Sequence, residues 1–116
     1  MSIERRKSRR FQVVDLDVHT VDPDEKIGKV VNLSEGGLLM IADLELVPDS
    51  IVRFRIPFSQ TINGEVNFEF NARVVWSYPN ALQASKYSTG LEFAENPDLQ
   101  TLFIQQMIKV YGKESV

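Results

Sequence analysis

The sequence predicts an all-β domain, a small antiparallel barrel or sandwich, followed by one C-terminal helix. Three observations carry that prediction. Apolar and polar residues alternate with period two over several short stretches, the pattern of strands with one face in a core and one in water. Between the two clearest stretches lies Asn63-Gly64, a pair that tolerates the positive φ angles of a tight hairpin. Near residue 96 the apolar spacing changes to three and four, as in a helix that buries one side. A length of 116 residues supports one domain with one core.

In chain order, residues 1–12 form a basic arm. Arg5, Arg6, Lys7, Arg9 and Arg10 stand against Glu4 within the first ten residues, a net +4. That leaves −7 for residues 11–116 in a chain of net charge −3. Residues 13–95 form the β domain. Its first strands are expected at Val14–Val18, Ile27–Leu33 and Leu38–Ala42. Val52, Phe54, Ile56 and Phe58 mark the next. Val66, Phe68, Phe70, Ala72, Val74 and Trp76 then face the core, with Asn67, Glu69, Asn71, Arg73 and Ser77 toward water. The hairpin pairs these two strands antiparallel, and Thr89–Phe93 is the last strand. Breaks fall at Asp22-Pro23-Asp24, at Val47-Pro48-Asp49 and across Tyr78–Lys86.

Residues 96–112 form the helix, packed on the barrel. Asn96 is its cap, Pro97 its first helical residue, Asp98 an acid in its first turn and Gly112 its stop. Leu99, Leu102, Phe103, Val110 and Tyr111 define the packing stripe. Ile104 and Ile108 fall outside it, so the apolar arc is wide. Either the helix lies deep in a groove, or those two isoleucines offer an edge to a partner protein.

Composition narrows the function. Zero cysteines exclude disulfides and thiolate metal centres. No stretch approaches the roughly 20 apolar residues of a membrane span, and the arginines run into strand-like sequence rather than a signal peptide's apolar run. A cytoplasmic protein without membrane contact is expected. The acidic body argues against duplex nucleic acid, which needs cations spread over a face. Single-strand binding needs exposed aromatics and a basic groove, whereas the phenylalanines here alternate inward. His19, the single histidine, lies in an alternating strand, and no nucleophile–base pair, metal-ligand cluster or Walker loop accompanies it. Neither catalysis nor a cofactor is expected.

Two motifs remain. Arg5, Arg6 and Arg10 fit the spacing RRxxxR, and Asn32, Ser34 and Gly37 fit N-x-S-x-x-G. A guanidinium is planar, always charged, and donates two parallel hydrogen bonds to a phosphate or to the O6/N7 edge of guanine. It also stacks on purine faces. Asn32 can bond a guanine edge through its amide, Ser34 adds a hydroxyl, and Gly36-Gly37 clears side chains from the ligand's path and permits strained turn angles. The combination suits a guanine-bearing, doubly charged anion. The same turn residues also make a good β-turn with no ligand at all.

On these motifs, and on Ala72-Arg73-Val74-Val75-Trp76, Gly90-Leu91-Glu92-Phe93 and the C-terminal helix, the chain resembles the PilZ family of cyclic di-GMP receptors along nearly its whole length. The resemblance implies a six-stranded antiparallel barrel and a cyclic di-GMP site made of Arg5, Arg6, Arg10, Asn32, Ser34, Gly36 and Gly37. In this family the arginines wrap the ligand while the turn reads guanine. Arg5-xxx-Arg9 also fits RxxxR, but Arg6-xxx-Arg10 leads directly into the first strand, as in the family. The additional guanidinium of Arg5 points to a stacked pair of ligands per chain, and an unidentified downstream protein would receive the signal. The alternative is a PilZ-like adaptor that binds protein and no nucleotide.

Overall fold

Alternation in the sequence becomes, among the described residues, seven strands followed by one helix. The computed structural model describes residues 10–62, 64–94 and 97–112. Arg5, Arg6 and Arg9 of the arm, Asn63 of the hairpin turn, the cap Asn96 and the side chain of Leu99 lie outside the described residues. The strands are β1 (Phe11–Gln12), β2 (Asp17–Val21), β3 (Asp24–Leu33), β4 (Gly37–Ala42), β5 (Ile51–Ile62), β6 (Glu65–Pro79) and β7 (Tyr87–Phe93), and α1 spans Pro97–Tyr111. Their order is β1-β3-β2-β5-β6-β7-β4, with β4 also paired to β3. The ring β3-β2-β5-β6-β7-β4 therefore closes as a six-stranded antiparallel barrel, and β1 is a two-residue addition to β3. Closure leaves the ring without a free sheet edge.

Val14–Val18, expected as one strand, is split. Val13 and Leu16 are both buried, yet three residues apart they would face opposite sides of a straight strand. The chain resolves the conflict by turning at Asp15, whose φ is 64°. Helix α1 ties this turn down. Val13 bridges to Gly112, and the Val14 amide donates to the Tyr111 carbonyl at 3.2 Å. The β5–β6 hairpin forms as expected, with Ile62 opposite Glu65 and Gly64 at φ 79°.

The core fills the barrel with Phe54, Phe70, Leu33, Met40, Ile56 and Val74, all below 2% exposed. Strands β2 and β5 pair directly only at His19–Arg55 and Thr20–Phe54. Arg55 supplements that short ladder by donating to both carboxylate oxygens of Asp24, at 2.7 and 2.9 Å. The hydrogen bond from Arg55, aided by one with His19, holds the Asp24 carboxyl below its ordinary pKa. His19 is thus a structural partner of Asp24, at 3.1 Å.

Two sequence expectations about facing are corrected. In α1 the buried stripe is Ile104, Met107 and Tyr111, whereas Leu102 is 62% exposed and Val110 is also exposed. Phe103 fixes this rotation by stacking on Phe68 at 5.1 Å and Phe58 at 5.9 Å between ring centres. Tyr111 does so by accepting the Ser59 amide at 2.8 Å. Ile104 is fully buried and Ile108 packs on the core, so the pair offers no partner edge. A wide apolar arc contains two overlapping stripes, and only the aromatic contacts choose between them.

The second correction concerns β6. Its inward alternation through Phe68, Phe70, Ala72 and Val74 does not reach Trp76, and Val66 at its start is exposed. Val74 lies opposite Leu91 and Trp76 opposite Gly90, so Val75 is an extra residue, a β-bulge. One inserted residue exchanges the two faces. Ser77 turns inward, where its hydroxyl bonds Thr89 Oγ1 at 3.1 Å and accepts the Leu46 amide at 3.2 Å. Trp76 turns outward.

The rotated helix stripe has a direct consequence for stability. Ile104→Ala is expected to cost about 2–5 kcal/mol and Leu102→Ala no more than about 0.5 kcal/mol. Urea denaturation of the two variants measures the difference.

Candidate functional site

A second bulge matches the first. On β3, Val30 lies opposite Met40 and Asn32 opposite Leu39, which makes Val31 the extra residue. Val30 and Leu33 are both buried as a result, and Asn32 is turned to the outer face. Cross-strand pairing then sets one row of residues across the outside of the barrel: Trp76, Gly90, Leu39, Asn32 and Gln12, from β6, β7, β4, β3 and β1. With strands about 4.8 Å apart, Trp76 and Asn32 are separated by about 14 Å measured along the curved sheet. Gly90 and Leu39 lie between them.

Trp76, Gly90, Leu39 and Asn32 of this row line a cleft of about 480 Å³, within the range of small-molecule sites. Arg10, Asn32, Ser34, Gly36 and Gly37 all line it. The structure thus gathers every candidate site residue that it describes, and Arg5 and Arg6 lie outside the described residues. Arg10 is exposed and directly precedes β1, which pairs with Asn32 itself.

The N-x-S-x-x-G turn is held from three sides. The Ser34 amide donates to the Gly37 carbonyl at 2.9 Å, and Ser34 Oγ donates to the same oxygen and accepts the Gly36 amide, both at 3.3 Å. Phe93 of β7 donates its amide to the Gly36 carbonyl at 2.9 Å. Gln105 of α1 donates to Glu35 at 3.0 Å. Much of the Ser34 hydroxyl's bonding capacity is therefore spent within the turn.

The glycines differ from expectation. Neither Gly36 nor Gly37 has a positive φ, so the turn stores no strain that only glycine would bear. At Gly37 the requirement is space, because a Cβ would run into the Leu91 carbonyl oxygen. At Gly36 a Cβ would meet nothing within 4 Å.

Trp76, Val75, Gly90 and Glu92 also line the cleft, and sequence reasoning missed them. The Trp76 indole lies over Gly90, whose Cβ, if it had one, would come within 2.7–2.9 Å of the ring. Tyr78 stacks beside it, with 5.7 Å between centres and 12° between planes. Glu92 accepts from Arg73 Nε and Nη2 at 3.1 and 3.0 Å, while Arg73 Nη1 donates to Asp49 at 2.7 Å. The hydrogen bond to Glu92 raises the Arg73 pKa above its ordinary value. A glycine inside a strand marks a bulge or a close approach, so Gly90 was the available signal.

The family model that matches describes a PilZ domain and covers residues 4–110. Solved structures share the fold at low identity. The Bacillus subtilis inhibitor of motility, MotI/DgrA, is 23% identical with a TM-score of 0.71, over 93% of this chain and 51% of that one. The PilZ domain of Escherichia coli YcgR with c-di-GMP is 12% identical with a TM-score of 0.66, over 92% and 91%. The Klebsiella pneumoniae MrkH–c-di-GMP complex is 15% identical with a TM-score of 0.62, over 93% and 51%. The chain thus spans about half the length of the MotI/DgrA and MrkH chains. No curated protein matches it in sequence.

The two glycines of the turn differ in what they contribute to folding. Gly37→Ala pushes β4 from β7 and is expected to cost about 1–3 kcal/mol. Gly36→Ala is expected to stay within about 0.5 kcal/mol of the unchanged protein. Both are read by urea denaturation.

Proposed function

The chain belongs to the PilZ domain family, and from that membership we propose that it is a cyclic di-GMP receptor whose ligand seats in the cleft between Trp76 and the Asn32–Gly37 turn. The observation that supports this reading most is the convergence of both motifs on one surface. Arg10 from the first motif and Asn32, Ser34, Gly36 and Gly37 from the second line a single cleft with an aromatic wall. The ligand carries two phosphates and two guanines. Phosphates call for guanidinium forks, and a purine calls for a flat aromatic surface and edge-on hydrogen-bonding groups. The cleft and the arm hold each kind.

In this reading Arg5, Arg6 and Arg10 clamp the phosphates and the guanine O6/N7 edges, Asn32 reads a base edge, and Trp76 stacks on a purine. Gly36 lets the ligand approach the backbone. Ser34 acts chiefly by fixing the turn. The arm closes over the ligand, and the altered surface signals to a downstream protein. The same reading assigns binding and no catalysis. YcgR and MrkH were solved with c-di-GMP, which favours a nucleotide receptor over a ligand-free adaptor.

Calorimetric titration with cyclic di-GMP tests the proposal. Binding is expected, with Arg6→Ala and Arg10→Ala each weakening it about ten- to hundredfold, the range for one charge-assisted contact. Lysine at either position restores charge without the fork and is expected to rescue only in part. A stacked pair predicts two ligands per chain, falling toward one in Arg5→Ala. Full affinity in both alanine variants would remove the arm from the site, and no binding by the unchanged protein would leave the adaptor reading.

A further inference from the structure

Glu92 is the one carboxylate among the described residues that line the cleft. An anion at an anion site works against affinity unless it recognises something specific. It stands on the outer face of β7, opposite Gly37 of β4 and Arg73 of β6. Both Arg73 bonds end on its Oε1. A carboxylate oxygen accepts about two hydrogen bonds, so Oε1 is filled. Among the described residues none donates to Oε2.

A guanine presents two adjacent donors, N1–H and the N2 amino group, on its Watson–Crick edge. An adenine presents a bare N1 acceptor there, which a carboxylate oxygen repels. Asn32 pairs one acceptor with one donor group, and so serves only part of a guanine edge. We propose that Glu92 is a specificity residue of the cleft: its Oε2 accepts from the N1–H and N2 amino group of a guanine, while Arg73 holds the carboxylate in place. The inference rests on the cyclic di-GMP reading above and deepens it. Arg73, itself anchored by Asp49 at 2.7 Å, offsets part of the carboxylate charge beside the cleft. Fixing the carboxylate beforehand also lowers the entropy lost on binding.

The test is a calorimetric comparison of cyclic di-GMP, its inosine analogue and cyclic di-AMP on the full chain, on Glu92→Ala and on Arg73→Lys. The inosine analogue keeps N1–H and lacks the amino group. The unchanged protein is expected to rank guanine above hypoxanthine above adenine. In Glu92→Ala the guanine-to-adenine ratio of affinities is expected to fall about tenfold or more. Cyclic di-AMP affinity is expected to rise there, because a negative charge leaves the cleft. Arg73→Lys keeps the charge but loses the fork, and is expected to lose part of the same ratio. A ratio unchanged within about twofold in Glu92→Ala, with cyclic di-GMP still bound, overturns the role of Glu92 and leaves the receptor reading intact. No binding of any of the three by the unchanged protein overturns both.

Discussion

Everything about this cleft depends on two inserted residues. A strand alternates its side chains between two faces, and one extra residue reverses the faces beyond it. Val31 and Val75 are those residues, on β3 and β6 respectively. Regular strands would carry Asn32 inward beside Val30, and Trp76 inward beside Val74. With the bulges, the core receives Leu33 and Ser77 instead, and the barrel surface receives an amide and an indole. Turning Ser77 inward buries a hydroxyl, which costs stability unless it is bonded. Its bonds with Thr89 and the Leu46 amide meet that cost.

The turn and the arm are prepared differently. The turn side is built before any ligand arrives: Ser34 closes the turn on itself, Phe93 anchors it to β7 and Glu35 ties it to α1. The missing side chain of Gly37 lets β4 lie close to β7, and that of Gly90 lets the indole settle on the sheet. Beyond Asn32, on the same side as the turn, Arg10 enters from β1, whose two residues pair with Leu33 and Asn32. The end of the arm is thereby registered against the turn by backbone hydrogen bonds. A groove with one rigid wall and cations supplied from a chain segment spends little ordering entropy on the rigid wall.

Most of the fold was legible in the sequence. Period-two alternation located the strands, Asn63-Gly64 located the hairpin, and Pro97 located the start of the helix. Three features were not legible, each for a physical reason. The rotation of α1 depends on Phe103 meeting Phe58 and Phe68, contacts that are remote in sequence. The break at Asp15 follows from burying both Val13 and Leu16, which strict alternation forbids. The bulges at Val31 and Val75 leave no local mark beyond a Val-Val doublet, since an inserted valine fits a strand as well as its neighbours do. Motif spacing therefore found Asn32, Ser34 and Gly37, while Trp76 and Glu92 emerged only from the register of β6 against β7.

Trp76 is the single tryptophan of the chain, so its emission reports on the outer face of the barrel alone. Cyclic di-GMP titrated into the full chain is expected to change that emission saturably, with a midpoint matching the calorimetric affinity, as a guanine covers the indole. Calorimetric binding with unchanged Trp76 emission would contradict a site between the indole and the Asn32–Gly37 turn.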